Sequence, residues 1–270
     1  MTQNSLQMMT SAVSDRGLSE KRPQNEDSYL EMPERGLFAV ADGVGGAQAG
    51  DVASQMAVEV IAEAFNNFRE GDVEDLMHEA ISRGNKAIYQ MSHDLPQLST
   101  MATTIVALQI SGNIATIGHV GDSRLYRLDS RGNLFRETQD HSVVEEEVRA
   151  GRMTPEQAEN HPSKNVISRA LGAESGVEVD MKTIMFEPNT TFLLCSDGIT
   201  RHISDLEIRD LLALQHSPVT ICQEMKQICY ERGAEDNLTA VIIRLAGEAV
   251  ETVSEIEEST VAATRQPFPN

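Results

Sequence analysis

The sequence predicts an α+β fold in which helices lie outside packed sheets. Three observations lead there. Apolar runs of strand length come in blocks and do not alternate with helices, which argues against a βαβ pattern. Helical periodicity appears in two separate pairs of segments. The chain, at 270 residues, is long enough to bury a substantial core.

Taken in order, residues 36–41 read as a short buried strand that stops at Asp42. Residues 51–69 follow as an amphipathic helix, with Val52, Met56, Val60, Ala64 and Phe68 at helical spacing. A second helix over 74–93 carries Leu76, Ile81, Ile88 and Met91. Three β-rich runs come next, "TTIVALQI", "NIATIGHV" and "RLYRL", separated by Ser-Gly-Asn and Gly-Asp-Ser turns.

From Asp140 to Gly172 the texture changes to a charged, partly helical stretch with two prolines, which reads as an inserted flap at about 145–170. Strands resume at 182–187 and at "TFLLCSD". Ser204 with Glu207 forms a capping box for the helix "DLEIRDLLAL". A helix over 219–231 ends before Gly233, and "LTAVIIRL" is a final buried strand. Residues 1–247 therefore read as one domain. Residues 248–270, acidic and without periodicity, read as a disordered tail.

Composition removes several function classes. The net charge of −20 and a pI near 4.7 argue against nucleic-acid binding and against anionic membrane surfaces. No apolar run is long enough for a membrane span, and the first residues lack the apolar region of a secretory signal. Cys195, Cys222 and Cys229 lie in apolar patterns with no CxxC spacing, so neither a zinc site nor a disulfide framework is supported. A reducing, cytoplasmic setting without membrane insertion is the expectation.

The stretch "FAVADGVGG" carries the functional question. Its glycines suggest a phosphate cradle, but no Lys follows them as a Walker loop requires, and the last position of a dinucleotide fingerprint is occupied by Gln48. Other acids share the position of Asp42. "LLCSDGIT" places Asp197 at the end of an apolar run, and Asp236 stands just before one. Asp122 lies in a tight turn between two strands, while Glu26 and Asp27 enter a β-like stretch, with Arg22 five residues before Asp27. Each alone reads most simply as a turn or a solvated acid. Together they are acids at strand ends, able to converge on one rim of a sheet.

Converging carboxylates need cations between them, and oxygen-only ligands select Mg²⁺ or Mn²⁺. Two such ions can share a hydroxide for in-line attack on phosphorus, with the Arg22 fork holding the phosphate. Glycine after Asp42 would free a backbone carbonyl to turn towards a metal. The histidines fit less well: His141 and His161 flank the flap and read as structural, and His119 reads as a strand side chain. None has metal-ligand spacing to another.

The order of "RPQNEDS", "VADGVGG", "VGDSRLY", "DHSVV", "NVISRALG", "LLCSDGI" and "EDNLTAVII" resembles the metal-dependent protein phosphatase (PPM, type 2C) family, from about Asp15 to Leu245. The bacterial single-domain branch is the most similar. The resemblance implies a central β-sandwich of two antiparallel sheets, flanked by helices on both outer faces and carrying metals at one end. It implies that Asp42 bridges two Mn²⁺ or Mg²⁺ ions and that Gly43 lends its carbonyl. Asp197 and Asp236 would be further ligands, and Glu26 and Asp27 would act through bound waters. Arg22 would bind the substrate phosphate, and Asp122, with Asp197, would hold a third, weaker ion.

The activity implied is hydrolysis of phosphoserine and phosphothreonine in phosphorylated proteins, reversing a Ser/Thr kinase. A non-catalytic phosphoprotein-binding domain on the same fold is the alternative. The chain departs from the family in two informative places. Val44 stands where some members have a histidine proposed as general acid, and Met101-Ala102 precede the paired threonines where glycine is common.

Overall fold

The computed structural model describes residues 7–45 and 49–247. Residues 248–270, expected to form a disordered tail, lie outside the described residues.

The chain opens with strands β1 (Gln7–Asp15), β2 (Asp27–Met32) and β3 (Leu37–Val44), then helices α1 (Gly50–Asn67) and α2 (Val73–Asp94). Strands β4 (Ala102–Thr103), β5 (Ile105–Ser111), β6 (Ile114–Val120), β7 (Arg124–Leu128) and β8 (Leu134–Arg136) follow. Helices α3 (Val143–Arg149) and α4 (Pro155–Glu159) come next, in and just before the stretch expected to form a flap. The chain then runs through β9 (Asp180–Met185), β10 (Thr190–Cys195), α5 (Asp197–Thr200), α6 (Asp205–Ala213), α7 (Pro218–Glu231) and β11 (Leu238–Ala246).

Two antiparallel sheets result, ordered β1-β11-β10-β7-β8 and β2-β3-β5-β6-β9, with β4 paired to β3. The alternation along β3 shows why they stack. Leu37, Ala39 and Ala41 face α1 and α2, where they meet Ala53, Ala57, Ile61 and Ile81. Phe38 and Val40 point the other way and join Val106, Phe192, Leu194 and Val241 between the sheets. The second sheet turns Leu193, Cys195, Ala240 and Ile242 outward against Ile208, Ile221, Met225 and Cys229 of α6 and α7. The layers are therefore helices, sheet, sheet, helices, as expected.

Several element boundaries differ from the sequence reading. Helix α1 ends at Asn67, and its buried face runs through Ala53, Ala57, Ile61, Ala64 and Phe65, so Val60 and Phe68 lie at its margin. The small side chains of Ala53 and Ala57 let α1 sit close to the sheet. Strands β1 and β8 were not anticipated. Both are edge strands with few fully buried residues, and neither shows a clean period of two. The Ser204–Glu207 capping box is present as read.

Candidate metal centre

The sandwich brings strand ends from both sheets to one rim. Antiparallel pairing places the start of β2 beside the end of β3, so Asp27 and Asp42 are register partners. The end of β10 likewise lies beside the start of β11, which brings Asp197 and Asp236 together. Asp122 arrives on the turn between β6 and β7. Acids as far apart in sequence as Asp27 and Asp236 thus meet around one cavity or directly beneath it.

Polar side chains fix each arriving strand. The Asp42 N–H donates to Thr104 Oγ1 at 2.9 Å, and the Asp42 carbonyl accepts from Thr103 Oγ1 at 2.9 Å. Thr104 Oγ1 also lies 2.7 Å from Ser123 Oγ, which links the Asp42 strand to the residue after Asp122. Ser196 Oγ donates to Asp27 Oδ2 at 2.8 Å and accepts from the Thr239 N–H at 3.0 Å. Asn237 Oδ1 accepts from the Glu26 N–H at 2.9 Å, while its amide donates to the carbonyls of Arg16 and Gln24.

Glycine follows Asp42 and Asp197 because neighbouring backbone leaves no room for a Cβ. At Gly43 a Cβ would overlap the Gly50 carbonyl, and at Gly198 it would overlap the Asn237 carbonyl. Gly43 meets Gly50 across the rim. Its backbone continues β3, and close approach alone demands glycine there.

The electrostatics test whether these residues suit cations. Asp27 and Asp236 are buried, and Asp42, Asp122 and Asp197 line the cavity with little solvent around them. Burial, then repulsion from the neighbouring acids, pushes the Asp27 carboxyl up to about 7 and the Asp42 carboxyl well above the usual carboxylate range. Burial and Asp197 likewise push Asp122 up to about 7. Asp27 Oδ1 and Asp197 Oδ1 are buried without a hydrogen-bond partner among the described residues. Unpaired oxygens and mutually destabilised carboxylates are what hard divalent cations relieve. The residues fit a magnesium or manganese site.

Two arginines face the same acids. Arg22 Nε lies 2.8 Å from Asp236 Oδ1, and Arg201 donates to Asp236 Oδ2 at 2.7 Å and to Asp197 Oδ2. Arg201 was not singled out in the sequence. Its only signal there is the spacing of four from Asp197, which places both on one side of a helical turn. The cavity above, about 400 Å³, is lined by the acids, both arginines, Lys21, Val44, Asn165 and Ile167. Val44 is 40% exposed and gives this wall an apolar surface with no proton to offer.

The anticipated set therefore converges. Asp42, Gly43, Asp122, Asp197, Asp236 and Glu26 line the cavity together with Arg22, and Asp27 lies beneath it, paired with Asp42. One further cluster, His119, His141 and Asp180, lies elsewhere; its possible ligand atoms fall within 4.8 Å of one another. The sequence spacing gave no hint of it, because β6, the segment after Asp140 and β9 meet only in the fold. Among the described residues, no helix is long and apolar enough to cross a membrane.

The chain is similar to several known proteins. The family model described as Protein phosphatase 2C matches residues 20–242. The serine/threonine phosphatase stp of Listeria welshimeri is 36% identical over 230 residues, 82% of this chain and 90% of the relative. The crystal structure of the Mycobacterium tuberculosis serine/threonine phosphatase PstP/Ppp superposes with a TM-score of 0.82 at 35% identity, over 90% of this chain and 100% of that one. A structure of the catalytic domain of PstP in complex with two manganese ions gives a TM-score of 0.79 at 34% identity, with the same coverage.

Proposed function

The chain belongs to the protein phosphatase 2C family, and from that premise we propose how its acidic rim performs the family's chemistry. The protein is a metal-dependent serine/threonine phosphatase. It hydrolyses the phosphoric monoesters of phosphoserine and phosphothreonine in proteins.

In this reading Asp42, the Gly43 carbonyl, Asp197 and Asp236 would hold two Mn²⁺ or Mg²⁺ ions. Glu26 and Asp27 border the site and would act through waters bound to the ions. Asp122, with Asp197, would hold a third ion more weakly. When bound, the ions supply Lewis-acid stabilisation of the phosphoryl oxygens and activation of water. The remaining work belongs to the chain. Arg22, bonded to Asp236 through Nε, leaves its terminal nitrogens to an incoming phosphate, while Arg201 spends its own on Asp197 and Asp236. Val44 and Ile167 border the cavity with apolar surface and limit water around the ester. The flap, through Asn165 and Ile167, lies where the residues flanking a phosphosite would pass.

The observation that carries the reading is the meeting of five aspartates at one rim, with two buried oxygens unpaired, beneath two arginines. The non-catalytic alternative loses its support, because every acid of the set is in place and the relatives are named as phosphatases. The reading extends to proteins phosphorylated by a Ser/Thr kinase in the cytoplasm. The three buried free cysteines support that compartment.

Phosphate release from matched phosphothreonine and phosphotyrosine peptides, with Mn²⁺ and with chelator, tests the proposal. Turnover of the phosphothreonine peptide that stops on chelation supports it. Equal turnover in chelator, or none with Mn²⁺, refutes it.

A further inference from the structure

His141 and Gly121 exchange two hydrogen bonds. The His141 N–H donates to the Gly121 carbonyl at 2.8 Å, and the Gly121 N–H donates to His141 Nδ1 at 3.0 Å. Gly121 is the residue before Asp122. It has φ of +111°, and a Cβ there would meet the Thr104 side chain at 2.6 Å. The turn that carries Asp122 is thus held on one side by Thr104, which also holds Asp42, and on the other by the His141 ring.

The ring's second nitrogen faces Asp180. Because Nδ1 accepts an N–H, the hydrogen-bond network assigns the ring proton to Nε2, which lies 3.2 Å from Asp180 Oδ2. Asp180 is itself held by Arg169 Nη1 at 2.7 Å, and Arg169 also donates to the Glu178 carbonyl at 3.2 Å. His119 stacks on the His141 ring with centroids 4.7 Å apart, which restrains its rotation. His119, His141 and Asp180 have metal-like spacing. A metal at His141 Nε2 would require the proton on Nδ1, directly opposite the Gly121 N–H, and Arg169 Nη1 already stands 3.2 Å from Nε2. The cluster is a hydrogen-bonded junction.

The junction also reaches the flap. The His141 carbonyl accepts from the Ser168 N–H at 2.8 Å, Ser142 pairs with Ile167, and the Val143 N–H donates to the Val166 carbonyl at 3.0 Å. Ile167 and Asn165 line the catalytic cavity. One residue therefore touches the Asp122 turn with its ring and the cavity-lining edge of the flap with its backbone.

We propose that His141 is a positioning residue that sets Asp122 through the Gly121 N–H and locks it in register with the flap. This rests on the reading that Asp122 takes part in the phosphatase site. The Asp180–Arg169 pair fixes the tautomer, so the ring always offers Nδ1 as the acceptor.

The test measures kcat and KM on a phosphothreonine peptide at saturating Mn²⁺ for His141→Ala, His141→Asn, His141→Gln, Asp122→Asn and the double variant His141→Ala/Asp122→Asn. Loss of a group that orients a site residue lowers turnover by about 10- to 100-fold. His141→Ala should show that loss in kcat, with KM little changed. An Asn Oδ1 can reach the position of Nδ1 and accept the Gly121 N–H, whereas the longer Gln carries its amide past it. His141→Asn should therefore recover most of the lost kcat, and His141→Gln should not. The double variant should match Asp122→Asn alone, because both changes remove one interaction.

Full kcat in His141→Ala, equal recovery by Asn and Gln, or additive losses in the double variant would overturn the proposal. If His141→Ala does not fold, the contrast between Asn and Gln still decides. A wild-type protein without turnover would instead refute the phosphatase reading, an outcome visible before any variant is made.

Discussion

Arg22 and Arg201 share Asp236 between them: Arg22 Nε holds Oδ1 at 2.8 Å, and Arg201 holds Oδ2 at 2.7 Å. The guanidiniums therefore sit at the mouth of the acidic rim, on carboxylates that a divalent ion also needs. Their removal should have different consequences. A charge-assisted hydrogen bond to a phosphate contributes about 1.5–3 kcal/mol, so Arg22→Ala should lower kcat/KM on a phosphothreonine peptide by about 10- to 100-fold. The loss should appear largely in KM. An unchanged KM would show that Arg22 does not meet the substrate.

Arg201 bonds two of the proposed ligands, Asp197 and Asp236, and so competes with a cation for their charge. Arg201→Ala should bind Mn²⁺ more tightly by calorimetry and melt at a lower temperature in chelator. Weaker binding in the variant would instead make Arg201 a support for the ligands' geometry.

Asp122 lies on the turn after β6, away from the paired strand ends that carry Asp27 and Asp42. Asp122→Ala should reduce turnover while leaving the binding of two tight Mn²⁺ ions nearly intact. Equal loss of turnover and tight binding would assign Asp122 a structural part in the whole rim.

His119 gives the fold a pH dependence with a definite sign. Burial, then the neighbouring His141 ring, pushes its imidazole down to about 3, against partial opposition from Asp140 and Asp180. An unfolded histidine titrates near 6.5, so between about 6.5 and 3 the unfolded chain holds a proton that the folded chain does not. Stability contributed by the neutral ring is present above about 6.5 and is lost as pH falls. At pH 5 the loss is about 2 kcal/mol. Urea unfolding at pH 7 and pH 5 should show a smaller difference in His119→Leu than in the wild type, by about that amount. Identical differences would mean that His119 is protonated or solvated in the folded state.

Gly198 packs against the Asn237 carbonyl, and the Asn237 side chain holds the Glu26 N–H and the Gln24 carbonyl. A methyl group there must push the Asp197 turn away from the segment carrying Glu26 and Asp236. Gly198→Ala should cost about 1–3 kcal/mol of stability in denaturant titration. It should also weaken Mn²⁺ binding. Normal metal affinity in a destabilised variant would show that the rim tolerates the shift.

The physical origins of these effects explain what was legible in the sequence. The long helices α1 and α2 and the strands β5, β6 and β11 announce themselves by periodicity or continuous apolar runs, because one or both faces are buried. The acids could be picked out because each stands at the end of such a run. What could not be read is the scaffolding between distant segments. Thr104 with Ser123, Ser196 with Asp27 and Asn237 with Glu26 are short polar residues with no pattern, meaningful only once the sheets are stacked. Arg201 and the His141–Gly121 exchange belong to the same class. The crowding of Gly43 by Gly50 across the rim belongs there too, since it arises only once the two segments meet.

The most direct test of the central claim, that the aspartate rim is a metal-dependent phosphatase centre built on Asp42, is the rate of phosphate release from a phosphothreonine peptide by Asp42→Asn beside the wild type at saturating Mn²⁺. Loss of the carboxylate shared by two ions removes several kcal/mol of transition-state stabilisation, so a fall of about 1,000-fold or more is predicted. A folded Asp42→Asn protein that keeps turnover within about tenfold of the wild type, a difference of only about 1.4 kcal/mol, would contradict the account.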